Sequence, residues 1–281
     1  MKDYYFQSLI QFKAKSPHRL WPRQPNKESC NHTITAILLH CGHVHLKSPS
    51  MKLYTGDLSP YSAKIRMQIY AMGIESEVEF DLPIAQFFSG QLKEVSPIGR
   101  IPILEAEGTI IPESEVIAEY LDDSFPDLAM VGNTPLERAN VRVISRLADI
   151  YLMNNIFLAL GQVQKDTRNQ GVVDLLMGQV KRGMKALDAH ISSEGFAASP
   201  RLSRADCTLV PALFMCENTV PRLDVPSPIK AGSAASDYWH RIQNNEHAAR
   251  VMDEMARGLK ARLDGTEQKM VAEALAKAKQ S

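Results

Sequence analysis

Apolar and polar positions keep no steady period over the first fifty residues, and from Met51 onward they do. Residues 51–55 (MKLYT) read as a short strand. Ser59-Pro60 then opens a helix, with serine at the cap and proline, whose fixed φ suits a first turn, directly after it. Ile65, Ile69 and Met72 recur at helical spacing, and Gly73 can take the left-handed conformation that ends such a run. Over 77–81, Val78 and Phe80 alternate with acids, the period of a second strand. A weaker helical pattern covers 84–95. Residues 101–106 and 109–112 form a hairpin across Glu107-Gly108, and a helix from Ser114 places Val116, Ile117, Tyr120 and Leu121 on its core face.

That order, βαβα followed by ββα, predicts an α/β domain with one mixed sheet flanked by helices over 51–128. Phe125-Pro126-Asp127 breaks the last of its helices, and 126–135 reads as a linker. Beyond Pro135 the pattern is helical or loop. A long helix over 136–160 carries Val141, Ile144, Ala148 and Tyr151 on one stripe, and further helices cover 170–192, 204–217, 236–260 and 266–279. The expected second domain is all-helical over 135–265, followed by a C-terminal helix or tail at 266–281. No internal repeat interrupts the plan.

Composition narrows the classes. The 281 residues are 44% hydrophobic and 23% charged, ordinary for a globular protein with two cores. Thirty-two Lys/Arg balance 32 Asp/Glu, so neither a nucleic-acid partner nor an anionic membrane surface is expected. No uninterrupted apolar run approaches the ~20 residues that span a bilayer. Four cysteines lack the density of a disulfide framework, which points to a reducing cytoplasm; Cys207 and Cys216, in an apolar helical stretch, read as small core residues.

The first fifty residues differ in kind. They hold seven Lys/Arg against two Asp/Glu, and five of the eight histidines. Cys30, His32, His40, Cys41, His43 and His45 have the right chemistry for a metal, but not the usual paired ligand spacing. A targeting peptide would need an apolar core or an Arg-rich amphipathic helix, and neither is present. The favoured reading of 1–50 is a disordered extension outside the fold, the product of an upstream start codon chosen in error.

Four short segments carry candidate chemistry. At Ser59-Pro60-Tyr61-Ser62, a helix begins directly after a strand, where free N–H groups and the positive dipole end stabilise an anion. A thiolate placed there has its pKa lowered, and with no cysteine present the thiol must belong to a ligand. On its own the segment reads first as an ordinary helix cap. Ile101-Pro102 sets a proline, which cannot join a sheet ladder, at the head of a hairpin strand. A cis bond there would expose the Ile101 backbone as an edge for a peptide-like ligand. Pro112-Glu113-Ser114-Glu115 opens a helix with Ser114 as its cap, suited to a carboxylate, with Glu113 beside it for an ammonium group. Ser203-Arg204-Ala205-Asp206 is a capping box with Leu202 as staple, a structural feature.

In this order and spacing the segments resemble the glutathione transferase family across nearly all of 51–265. Ser59-Pro60-Tyr61-Ser62 is similar to the Cys-Pro-Tyr-Cys of glutaredoxins with serine for both cysteines, and its first position holds the catalytic Cys or Ser of Omega and Zeta-like classes. Gly99-Arg100-Ile101-Pro102 resembles the cis-proline segment, Glu113-Ser114 the pair that holds the γ-glutamyl end, and Ser203–Asp206 the folding motif of the helical domain. The resemblance implies a thioredoxin-like N-terminal domain, an all-α C-terminal domain, glutathione as co-substrate and no metal.

It also implies that Ser59 is the catalytic residue, donating to the glutathione sulfur, with Ile101, Pro102, Glu113, Ser114 and Arg100 binding glutathione. Arg100 would meet the glycyl carboxylate or stand free in solvent. Ser62 is expected to pack inward, and Tyr54, one residue out of register for an activator, reads as core. A small hydrophobic electrophile would dock against Met153, Asn154, Phe157 and the loop after Leu58. Residues 83–95 lack the lysine that many relatives use for the glycyl end, which leaves the class open. A two-fold homodimer is implied, with Arg138, Arg142 and Arg146 set to pair with Glu115 and Glu119 across it. Glutathione-dependent ether cleavage, dehalogenation or isomerisation, or a non-catalytic interaction module, remain alternatives to conjugation.

Overall fold

The computed structural model describes residues 51–278, so the readings of residues 1–50, including Cys30, Cys41 and the histidine-rich stretch, lie outside the described residues. The described residues fall within one compact unit. Its first part is a four-stranded sheet in the order β2-β1-β3-β4, built from β1 (Met51–Tyr54), β2 (Val78–Asp81), β3 (Ile103–Ala106) and β4 (Thr109–Pro112). β1 pairs parallel with β2, the other pairings are antiparallel, and α1 (Pro60–Met72) makes the crossover that a parallel pair requires. Glu107 and Gly108 turn the β3–β4 hairpin with φ of 51° and 71°. The weak helix at 84–95 is two short pieces, α2 (Ile84–Ser89) and α3 (Leu92–Val95), and α4 (Ser114–Ser124) closes the domain.

Strand alternation sends Met51 and Leu53 into the core and Lys52 and Tyr54 to the opposite face. Tyr54 is therefore half-buried instead of core: its hydroxyl donates to Glu105 at 3.2 Å. The expected face of α4 is turned as well. Ile117 and Leu121 are buried, but Val116 is 49% exposed, and Ala118 and Asp122 point inward instead. Asp122 is held there because its carboxylate accepts the Met130 N–H at 2.8 Å and pairs with Arg204 at 3.0 Å.

The second part is helical. α5 (Pro135–Arg146) passes into a π-helical segment at Leu147–Met153 and then α6 (Asn154–Ala159). The wider π turn rotates everything after it, so the buried stripe runs Val141, Ile144, Ala148, Leu152 in place of Tyr151. The joined helix, Pro135–Gln162, is 28 residues long with a mean hydropathy of 1.3 over its most apolar window, sufficient in length and composition to cross a membrane. Half of that window is buried inside the fold, as in a core helix. α7 (Gln170–Asp188) and α8 (Arg204–Asn218) follow; Cys207 and Cys216 are fully buried in α8, as their apolar setting requires. The stretch expected as one helix over 236–260 is two, α9 (Ala234–Ile242) and α10 (Glu246–Leu263), because the Asn245 side chain caps a new start by accepting the His247 and Ala248 N–H groups. α11 (Thr266–Ala278) packs on α2.

Two buried polar sets tie these parts together. Asp206, fully buried, accepts the N–H and O–H of Ser203 (both 2.9 Å), the Ala197 N–H (2.7 Å) and the Tyr238 hydroxyl (3.0 Å). Burial pushes its carboxyl up, and these donors pull it back. On α1, fully buried Lys64 donates to Glu115 of α4 and to Asp149 of the π segment (3.0 Å to Asp149). Burial raises the Glu115 carboxyl, but Lys64 and Arg204 bring it below its ordinary value; Asp149, more deeply buried, stays raised despite Lys64.

Asp206→Ala leaves four buried donors without their acceptor, each costing about 1–3 kcal/mol, so a loss of ~3 kcal/mol or more is expected in urea denaturation. A fully stable variant would mean that water replaces the carboxylate. Lys64→Met leaves two adjacent buried carboxylates and is expected to cost ~3–5 kcal/mol at neutral pH. Without the cation both carboxyls rise, and a raised carboxyl favours the protonated folded state. The deficit should therefore shrink as pH falls below neutrality, whereas the wild type loses the contribution of its lowered Glu115 as pH falls through that carboxyl's pKa. Denaturation midpoints of both proteins across pH check the crossing trend.

Candidate active site

The turn from β1 to α1 begins the site. Ser59 caps α1 with extended backbone (φ −71°, ψ 114°), and its hydroxyl oxygen accepts the Ser62 N–H at 3.2 Å. The Ser59 proton is thereby left for an outside acceptor at the positive end of a 13-residue helix. Ser62 is fully buried, in keeping with the expectation that it packs inward, and its own hydroxyl has no hydrogen-bond partner among the described residues.

Next to that turn runs the Ile101–Pro102 segment, whose peptide bond is cis. A Cβ on Gly56 would stand 2.9 Å from the Ile101 side chain, so the turn can lie this close only because residue 56 has none. Beyond β4, α4 starts one residue earlier than the sequence reading required. Glu113, not Ser114, occupies the cap position, its side chain makes no capping bond, and Ser114 is the first helical residue. Glu113 holds φ 71° and ψ 114°, a conformation rare for a residue with a side chain and typical of functional sites.

A cavity of about 270 Å³ lies among these segments, lined on one side by Arg100, Ile101, Pro102, Glu113 and Ser114 and on the other by Tyr61, Arg146, Asp149, Ile150 and Asn154. Five of the six residues singled out from sequence thus share one cavity. Ser59 is not among its lining residues; its turn reaches the wall through Gly56 against Ile101 and through Tyr61, two residues on. Arg100 is exposed, forms no ion pair among the described residues, and sits over the Phe157 ring at 5.7 Å. A larger depression of about 370 Å³ between α8 and α10, lined by Phe214, Asn218, Leu259 and Lys260, holds none of these residues.

The acceptor wall differs from its sequence outline. Asn154 lines the cavity, but Met153 is fully buried in the core, turned there by the π segment. Nor are the arginines of α5 free: Arg142 reaches Glu119 at 3.6 Å within the same chain, Arg146 reaches Asp149 at 3.4 Å, and Glu115 is held by Lys64. Tyr61, Arg146 and Asp149 were not legible as site residues. Only Tyr61 stood in a recognised segment, and its hydroxyl is pushed well up by burial and by Asp149, which keeps it a neutral donor.

Comparison with known proteins follows the same two-part division. The glutathione S-transferase N-terminal domain family matches residues 58–124, and the C-terminal domain family matches residues 147–246. Maleylacetoacetate isomerase of Pseudomonas aeruginosa is 29% identical over 184 residues, which is 62% of this chain and 85% of that protein. Among solved structures, a glutathione S-transferase of Methylobacillus flagellatus with glutathione bound superposes with a TM-score of 0.60 at 22% identity, covering 72% of this chain and 98% of its own. Beta-etherase LigF of a Sphingobium strain superposes at 0.59 and 19% identity, covering 73% and 99%. Matched in order over the sheet domain and the helical domain, this chain belongs to the glutathione S-transferase family.

Proposed function

We propose that the protein is a glutathione transferase in which Ser59 holds the glutathione thiol as thiolate for attack on a small hydrophobic electrophile. The observation that carries this reading is the convergence of the Ser59-capped start of α1, the cis Ile101–Pro102 segment and the strained start of α4 beside one cavity. The Ser59 hydroxyl keeps a proton for the sulfur while its oxygen is occupied by Ser62, and the helix dipole favours the anion. The Ile101 backbone is suited to pair with the cysteinyl unit, with Pro102 shaping the edge. The first N–H groups of α4, with Ser114, suit the γ-glutamyl carboxylate, and the exposed Glu113 suits its ammonium. The exposed Arg100 offers its guanidinium to a carboxylate at the rim. No step requires a metal.

The name of the Pseudomonas relative favours a second reading, in which the same thiolate adds to a substrate and is released again after isomerisation; ether cleavage would use it likewise. Product analysis over a substrate panel separates the two: a retained conjugate or regenerated glutathione. We further propose a cytoplasmic role in detoxification and a two-fold homodimer, the dimer supported by the apolar Val116, Leu136 and Val143 left exposed on α4 and α5.

Ser59→Ala should lower conjugation about ten- to a hundredfold with glutathione affinity nearly unchanged, since one donor to a partly solvated thiolate is lost. Ser59→Cys should gain disulfide reductase activity as conjugation falls. Full conjugation in Ser59→Ala, together with its loss in Ser62→Ala or Tyr54→Phe, would move the activator elsewhere. Replacing both Glu113 and Ser114 by alanine should weaken glutathione binding about tenfold or more by calorimetry, and leave binding of an apolar electrophile intact. Unchanged glutathione affinity would refute their assignment.

A further inference from the structure

The segment that delivers Ser59, residues 55–58, belongs to neither sheet nor helix, so its carbonyls must find partners elsewhere. Those of Gly56 and Asp57 find Arg66, 3% exposed and nearly two turns into α1. Its guanidinium donates to the Thr55 hydroxyl at 2.8 Å, the Gly56 carbonyl at 2.9 Å and the Asp57 carbonyl at 3.1 Å. The Gly56 carbonyl also accepts the Ser59 N–H at 3.2 Å, so one oxygen joins the arginine to the capping serine.

A buried guanidinium needs a counter-charge, and it comes from the far end of the chain. Glu254 of α10, 8% exposed, accepts the Arg66 Nε–H at 2.7 Å, and its second oxygen accepts the Tyr70 hydroxyl at 2.9 Å. Four residues along the same helix, Gly258 lies against the turn itself: a Cβ there would come within 2.7 Å of the Leu58 nitrogen. α10 thus holds the turn at two places, by charge through Arg66 and by contact at Gly258. A third link, Arg257 to Asp57 at 3.5 Å, is exposed on both sides and weak in water.

We propose that Glu254 is a positioning residue for thiol activation: through Arg66 it sets the place of the β1–α1 turn, and hence of the Ser59 hydroxyl, from the helical domain. This rests on Ser59 being the activator. It makes thiol activation depend on the seating of a helix that does not line the cavity.

The test is a double-mutant cycle between Ser59→Ala and Glu254→Gln, the glutamine keeping an acceptor for the Arg66 bond, with urea denaturation to confirm folding. In the wild-type background Glu254→Gln should lower kcat about tenfold with KM for glutathione changed less than about twofold; in the Ser59→Ala background it should lower kcat by less than about twofold further, because coupled residues are not additive. Gly258→Ala, which keeps every charge and pushes on Leu58, should show the same dependence on Ser59 and decides the matter if Glu254→Gln does not fold. Arg257→Gln should leave kcat within about twofold. An equal loss in both backgrounds, or no loss in either, overturns the proposal while leaving Ser59 in its role. A Ser59→Ala protein as active as wild type overturns the role of Ser59 and this inference together.

Discussion

Lys64 carries a positive charge to a place that water does not reach, and the sheet domain and the helical domain each supply one carboxylate to meet it. An uncompensated ion at such depth costs several kcal/mol, so α4 and the long helix must close on α1 together. Arg66 and Gln68, at alternate positions along the same helix, repeat the arrangement: Arg66 draws in α10, and Gln68 donates to the Ala118 carbonyl and to Asp122 of α4. A helix buried on nearly every side would otherwise slide among apolar neighbours. Two buried ion pairs and one buried amide leave it one seating.

That seating is what the site requires. The capping serine, the cis-proline segment and the start of α4 come from three separate loops, each unable to hold its place alone. α1 carries the first, its Lys64 is bonded to Glu115 in the first turn of the third, and Gly56 packs the first against Ile101 of the second. Catalysis by a helix end depends on aiming dipoles and donors at a sulfur before it arrives. If Ser59 holds the thiol as proposed, rigidity at the domain seam sets its orientation there.

The helical domain enters twice. Its long helix lines the cavity with Arg146, Asp149, Ile150 and Asn154, and its later helix α10 reaches around to the turn before α1. The π segment matters for the first of these, because one added residue in a turn decides which side chains look outward. Met153 is lost to the core, while Asn154, expected in the wall, lines the cavity.

Much of this was legible in the chain because it is local. Ser59 before Pro60 caps α1 within one turn of chain, Glu107-Gly108 turns a hairpin through backbone angles that short range dictates, and Ser203 meets Asp206 three residues away. By their order, such elements also determined the fold class and the family likeness. What sequence could not determine is set by partners distant in the chain. Asp149 answers to Lys64 across 85 residues and Glu254 to Arg66 across 188, and no period or motif encodes either meeting. The same holds for the turned face of α4, where Asp122 faces inward for Arg204 and Met130, and for Tyr54, drawn to Glu105 on the neighbouring strand. Local chemistry sets where elements begin and end; which buried charges meet, and so which side chains face the site, is decided only when the elements exclude water from one another.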